Sequence, residues 1–177
     1  LGLEGAEDVL YFTHDYVTMS SDKNSHLLAA AKLTKKHGVK KLVAVCPLEH
    51  NLAWSEDEKN FHEKAEDAQN EALAVNSDMT LLKTNLAFGP ESHLIHFLSQ
   101  SALAGKCPYS NLVKANKFEF APIHTDDIAS AMGSALEGTH KGIFSLSGSQ
   151  RLVLRQIMDT LETKAGKTPN STHGSQL

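Results

Sequence analysis

The sequence predicts an α/β fold, doubly wound around a largely parallel sheet. Short apolar runs alternate with helical-period segments along nearly the whole chain. Two of the runs, Val9-Leu10-Tyr11-Phe12 and Leu42-Val43-Ala44-Val45, are continuous rather than alternating, as a parallel strand covered on both faces requires. Capping residues and glycine stops punctuate the helical segments, so right-handed strand–helix–strand crossovers are the expected connections.

The first strand is expected over Asp8–Thr13, between acidic residues and a polar stretch. Ser20 or Ser21 can cap the next helix, with Asp22 in its first turn. Leu27, Leu28, Ala31 and Thr34 or Lys35 continue it at helical spacing, and Gly38 stops it near His37. A strand follows over Lys40–Cys46 and ends at Pro47. Ser55-Glu56-Asp57-Glu58 matches a capping box, in which serine hydroxyl and glutamate carboxylate satisfy orphan amides reciprocally. In the helix it opens, Phe61, Ala65, Ala68, Ala72 and Val75 form one narrow face, mostly alanine, suited to close packing within the domain or against a partner.

Further along, the pattern predicts a strand at Met79–Lys83, a helix from about Glu91 to Ala104, a strand at Phe118–Ala121 and a helix capped by Thr125. A strand at Gly142–Ser147 and a helix from about Leu154 to Ala165 complete it. Residues 1–167 thus read as one domain, and 168–177 as a polar, frayed tail.

Composition narrows the function classes. The 177 residues carry a net charge of −4 with acidic and basic residues interspersed, which offers no electrostatic platform for nucleic acid. No apolar run approaches the roughly 20 residues of a bilayer span, so no transmembrane segment is expected. The two cysteines, Cys46 and Cys107, are far apart and in no Cys-x-x-Cys pair. That argues against a disulfide framework or zinc finger and fits a reducing compartment. Asn170-Ser171-Thr172 is a sequon read as a chance triplet, since no secretory signal precedes it.

In doubly wound sheets ligands bind beyond the carboxyl ends of the strands, which directs attention to Thr13-His14, Cys46-Pro47, Thr84-Asn85 and Ser147-Gly148. Read together, these segments resemble the extended and atypical short-chain dehydrogenases and the epimerase/dehydratase group. The run Asn24-Ser25-His26-Leu27-Leu28-Ala29-Ala30-Ala31-Lys32, then His37-Gly38-Val39-Lys40-Lys41-Leu42-Val43, looks like that family's helix and following strand. Lys83-Thr84-Asn85-Leu86-Ala87-Phe88-Gly89-Pro90 resembles its Arg-Pro-x-x-x-Tyr/Phe-Gly-Pro segment. His124-Thr125-Asp126-Asp127-Ile128-Ala129 resembles its His-Val-x-Asp-Val-Ala segment. The resemblance spans about Ala6 to Gly166 and implies a Rossmann-like fold with NADP or NAD as cofactor. The cofactor-binding positions it implies are Thr13, His14, Cys46, Pro47, Lys64, Thr84, Asn85 and Leu86.

The departures bear on chemistry. In the family a tyrosine passes a proton to or from the substrate oxygen, and a lysine four residues later lowers its pKa and binds the nicotinamide ribose. Lys64 matches that lysine, but the tyrosine position is Asn60. A carboxamide cannot donate and recover a proton near neutral pH. Cys46-Pro47 stands where the family has a Ser/Thr pair, so no catalytic residue is assigned. The glycine-rich pyrophosphate turn of the family is expected before Leu1, leaving this chain a partial domain without the first strand–helix–strand units. This loss of the tyrosine is most similar to nucleotide-binding accessory subunits of mitochondrial complex I.

That resemblance implies a non-catalytic NAD(P)-binding subunit of a larger protein assembly on the mitochondrial matrix side, with a cytoplasmic location the alternative. Two other readings stay open. One is an active reductase or epimerase with a displaced proton donor, for which Tyr11, Tyr16, Tyr109 and His62 are candidates. The other is a regulatory protein that senses dinucleotide. Among sharper local readings, Asp126-Asp127 fit a helix N-terminus better than a catalytic pair, and His93 with His96 lack a third metal ligand. Cys46 reads as a small core hydrophobe rather than a reactive thiol.

Overall fold

The computed structural model describes residues 3–12, 22–47, 56–104 and 119–168. These form two compact units, residues Leu1–Thr84 with Asp127–Leu146, and Asn85–Asp126 with Ser147–Leu177.

The first unit is built on four parallel strands, β1 (Asp8–Phe12), β2 (Lys41–Pro47), β3 (Thr80–Thr84) and a strand at Gly142–Leu146 that is β7 in chain order, arranged β1-β2-β3-β7. Helix α1 (Asp22–Lys36) joins β1 to β2, and α2 (Glu56–Val75) joins β2 to β3. The expected capping residues Ser20, Ser21 and Ser55 lie outside the described residues. Leu42 to Cys46 are all buried, with none more than 4% exposed, as predicted for a strand covered on both faces. Leu42, Ala44 and Cys46 join Leu27 and Ala31 of α1, Ala72 of α2, Met79 and Leu81 in one apolar cluster. Each fully buried Leu or Met side chain there contributes about 1.5–3 kcal/mol.

The same expectation fails for β1. Val9 and Tyr11 pack against that cluster, but Leu10 and Phe12, on the other side of the strand, are 42% and 55% exposed. β1 is the last strand of the sheet, and the described residues leave its second face uncovered.

Helices α1 and α2 pack along their length, and their carboxyl ends are tied by polar groups. The Lys35 ammonium donates to the Val75 carbonyl at 2.7 Å, satisfying an orphan acceptor at the end of α2. Asn76 Nδ2 donates to Thr34 Oγ1 at 3.2 Å, and Asn76 Oδ1 accepts the Asp78 amide. The alanine face predicted for α2 is therefore rotated. Gln69, Ala72 and Asn76 are buried, whereas Ala68 and Val75 are half-buried. Thr34 supplies the polar partner that makes the burial of Asn76 affordable. The side chains of Phe61 and Ala65 lie outside the described residues.

The second unit holds β4 (Ala87–Phe88), α3 (His93–Leu103), β5 (Glu119–Phe120), β6 (Ile123–His124), β8 (Leu152–Val153) and α5 (Leu154–Lys164). Ser92 caps α3, its hydroxyl accepting the Ile95 amide. Leu98 and Ala102 of α3 meet Ile157 and Met158 of α5 around Leu86, with Phe120, Leu152 and Leu161 at the margin. The strand predicted at Phe118–Ala121 shrinks to β5 and leaves the parallel sheet, pairing antiparallel with β8. Glu119 is exposed and Phe120 half-buried, an alternation that suits a strand with one wet face. The β4–β6 pair is parallel and just two residues long, too short to leave a periodic signal.

Helix α4 (Thr125–Glu137) begins one residue earlier than predicted. Thr125 is its first residue rather than its cap, and His124 Nδ1 accepts the Asp126 amide at 3.2 Å in the capping role. In the first unit the ammonium of Lys41 donates to the Leu136 carbonyl near the end of this helix.

Gln69 Oε1 is sealed from solvent without a hydrogen-bond partner among the described residues. An unpaired buried carbonyl costs about 1–3 kcal/mol, so Gln69→Met, which keeps the volume and removes the polar group, is expected to raise unfolding free energy by about 1 kcal/mol; urea denaturation measures it. Just beyond the carboxyl end of α2, hydrogen bonding to Lys141 and its charge hold the Asp78 carboxyl below the usual carboxylate range, helped by Lys35. The lowered folded-state value means the pair's contribution is present above the unfolded pKa and is lost as pH falls through the folded one. Lys141→Gln is expected to move the Asp78 titration midpoint upward, as read by carboxyl-carbon NMR.

Candidate functional site

The carboxyl ends of β2 and β3 carry four of the positions singled out in the sequence. Cys46 is 1% exposed and belongs to the apolar cluster, so its thiol sits where a small hydrophobe packs. Pro47 is the last residue of β2 and pairs in register with Thr84. Its missing N–H costs least at a strand end. Thr84 is 1% exposed, and its hydroxyl donates to the Cys46 carbonyl at 3.3 Å. The threonine therefore braces the two strand ends.

Lys64 lies on α2 one turn after Asn60, and its side chain is exposed. No ion pair or hydrogen bond engages it among the described residues, so its ammonium is available to an anionic or hydroxyl-bearing ligand. Thr13 and His14 lie outside the described residues, as do Tyr16, Tyr109 and the side chain of His62. Tyr11 packs against the cluster beneath α1 and α2. Burial, with a smaller contribution from Cys46, pushes its phenol above the usual range. That keeps the phenol protonated and makes Tyr11 a poor base.

In the second unit Asn85 is 6% and Leu86 7% exposed. The Leu86 side chain belongs to the core, its N–H donates to Asn85 Oδ1 at 2.8 Å, and its carbonyl accepts the Ile123 amide at 2.9 Å. Every group Leu86 owns is thus engaged in the fold. The Ala121 amide also donates to Asn85 Oδ1, at 3.4 Å, and the Ala121 carbonyl accepts the Gly148 amide at 3.0 Å. The stretches Asn85–Leu86, Ala121–Ile123 and Gly148 are consequently bound into one backbone junction.

Gly148 is there because of crowding. A Cβ at this position would lie 1.8 Å from the Pro122 carbonyl oxygen, well inside contact distance. The sequence drew attention to Ser147-Gly148 as a strand end but not to Ala121 and Pro122, since nothing local marks a carbonyl that a distant glycine must clear. Gly89 plays a similar part: a Cβ there would lie 2.3 Å from Thr125 Oγ1. Beside it, Phe88 and His124 meet edge to face with ring centroids 5.1 Å apart. The Phe-Gly and His-Thr segments quoted for the family resemblance thus pack on each other.

Asp126 and Asp127 are exposed at the start of α4. His96 shares a hydrogen bond of 2.9 Å with Gln100 one turn along α3. Among the described residues no group of three or more His, Cys, Asp or Glu stands together as a metal site, and no helix is long and apolar enough to cross a membrane.

Solved structures share this arrangement of strands and helices. A dTDP-glucose 4,6-dehydratase double mutant from Streptomyces venezuelae, with NAD and DAU bound, superposes with a TM-score of 0.70 at 17% identity, covering 93% of this chain and 59% of that one. The fold is Rossmann-like. UDP-N-acetylglucosamine 4-epimerase from Bacillus cereus gives 0.69 at 12% identity over 94% of this chain and 65% of that one. The enzyme WbmG from Bordetella bronchiseptica, in complex with NAD and UDP, gives 0.68 at 15% identity over 91% and 57%. The chain spans less than two thirds of the length of each. No protein-family model and no curated protein matches the sequence. At these identities the likeness establishes the architecture, and it bears out the Rossmann-like fold expected from the sequence.

Gly148→Ala is expected to destabilise the protein by about 1–3 kcal/mol or more, because the methyl meets backbone rather than a movable side chain. Gly133→Ala is the control, with open space at the Cβ position on α4. Thermal unfolding of the two variants compares the sites directly.

Proposed function

We propose that this chain is an NAD(P)-binding protein of the short-chain dehydrogenase fold that does not perform conventional hydride transfer. The observation that carries the reading is Asn60 standing one turn before Lys64 on α2, in a scaffold whose solved neighbours include proteins with NAD bound. NAD(P), when bound, supplies a hydride donor or acceptor. General acid catalysis of a carbonyl or alcohol also needs a side chain that exchanges a proton with the substrate oxygen, and a carboxamide does not do so.

The residues present fit the dinucleotide in part. The exposed ammonium of Lys64 suits ribose hydroxyls or a phosphate. Thr84 in the first unit and Leu86 in the second are each engaged within the fold and act as braces. Cys46 and Pro47 shape the end of β2. The described residues would therefore bind and orient the dinucleotide.

The narrower reading is an accessory subunit of a mitochondrial respiratory assembly similar to complex I, on the matrix side. It is supported by the sequence pattern from Gly38-Val39 to His50-Asn51 and from Phe88-Gly89 to Phe97-Leu98. A binding protein with lost chemistry needs partners to have a role, and other subunits of the assembly are the partners proposed.

Titration of the protein with NADH and NADPH, followed by nucleotide fluorescence, is expected to show saturable binding. A panel of carbonyl substrates is expected to give no turnover above the protein-free rate. Robust oxidation of the bound nucleotide would overturn the non-catalytic reading, and absence of binding would overturn the nucleotide-binding one.

A further inference from the structure

His124 ends β6, and its ring stands at the start of α4. The Asp126 amide donates to Nδ1 at 3.2 Å, Oδ2 of the Asp126 carboxylate lies 3.4 Å from the same nitrogen, and the Phe88 ring meets the imidazole edge to face. The contact from β4 is thus uncharged. Among the described residues the charge in contact with the ring is that of Asp126 on α4, and the next residue along, Asp127, is exposed.

One nitrogen therefore has a donor and an acceptor of a single residue within reach, and a proton decides between them. To accept the amide, Nδ1 must carry the lone pair, so the geometry assigns the proton of the neutral ring to Nε2. A protonated ring carries N–H at both nitrogens and accepts nothing. Nδ1 then donates, the acceptor beside it is Asp126 Oδ2, and the amide loses its partner. Little else has to move. Phe88 holds the ring with centroids 5.1 Å apart, and Gly89 sits so close to Thr125 that a Cβ would lie 2.3 Å from Oγ1. The His124 side chain is still 36% exposed, so protons reach it from solvent.

We propose that His124 is a proton-operated cap for α4, engaged with the Asp126 amide when the ring is neutral and with the Asp126 carboxylate when it is protonated. Histidine is the side chain suited to such a change near neutral pH. The neutral state serves the helix, because an acceptor at this position satisfies an orphan amide of the first turn. The protonated state opposes it: the amide is released and a cation faces the positive end of the helix dipole, which an exposed ion pair offsets only in part. Protonation thus loosens the first turn of α4. The inference stands apart from the nucleotide-binding reading.

NMR of the 15N-labelled wild-type protein across the titration of the His124 ring tests it. The neutral ring is expected to carry its proton on Nε2, and the Asp126 amide proton is expected to move upfield with the midpoint of the ring as its hydrogen bond is lost. That shared midpoint separates the step from titration of the Asp126 carboxylate itself. In His124→Asn the side-chain oxygen caps without titrating, and the Asp126 amide is expected to show no step at that midpoint. A neutral ring protonated on Nδ1, an Asp126 amide that stays still while the wild-type ring titrates, or the same step surviving in His124→Asn would each overturn the proposal. Should the variant not fold, the two wild-type signals decide alone.

Discussion

Burial of β2 on both faces is the constraint on which the first unit depends. Five consecutive residues, Leu42 to Cys46, have almost no exposed surface, so each face needs its own cover and the strand needs a partner on each edge. β1 and β3 supply the edges. Parallel partners require long crossovers, and α1 and α2 are those crossovers, laid over Leu42, Ala44 and Cys46. Once they lie side by side, Asn76 is buried and needs Thr34 as its partner, while Lys35 satisfies the Val75 carbonyl at the surface. The apolar strand thus determines the helices, and with them the placement of Lys64 on α2.

The second unit answers to a different constraint, the convergence of backbone at Asn85, Ala121 and Gly148. These segments meet too closely for side chains to mediate, so one side chain and several main-chain groups make the contacts. Asn85 uses its oxygen in place of a strand neighbour, and Gly148 gives up a Cβ to let Pro122 pass. Junctions of this kind specify position more strictly than an apolar core, because a displaced hydrogen bond leaves a buried amide unpaired.

How far the sequence could be read follows from the range of the forces involved. β2, α2 and the Gly142 strand were legible because continuous apolar runs and helical periods are local. Both faces of β1 looked alike in sequence, yet one is packed and the other exposed, since cover comes from elements remote in the chain. The strand at Phe118–Ala121 was recognised as extended but assigned to the wrong kind of sheet. Glu119 beside Phe120 is the alternation of one wet face, but two residues are too few to carry that pattern in the sequence. Among the candidate site residues, position at the strand ends was legible while role was not. Nothing in the sequence separates Thr84, whose hydroxyl donates to the Cys46 carbonyl, from Asn85, whose oxygen accepts two backbone amides.

Asn60 and Lys64 mark where scaffold and chemistry part. A lysine that lowers a tyrosine's pKa loses that purpose when the tyrosine becomes an asparagine, and an exposed lysine on a charged helix needs no purpose at all. Its retention at the matching position therefore argues little by itself. At the described strand ends, hydroxyl and thiol are turned to structural use: the Thr84 hydroxyl donates to the Cys46 carbonyl, and the Cys46 thiol packs among core side chains.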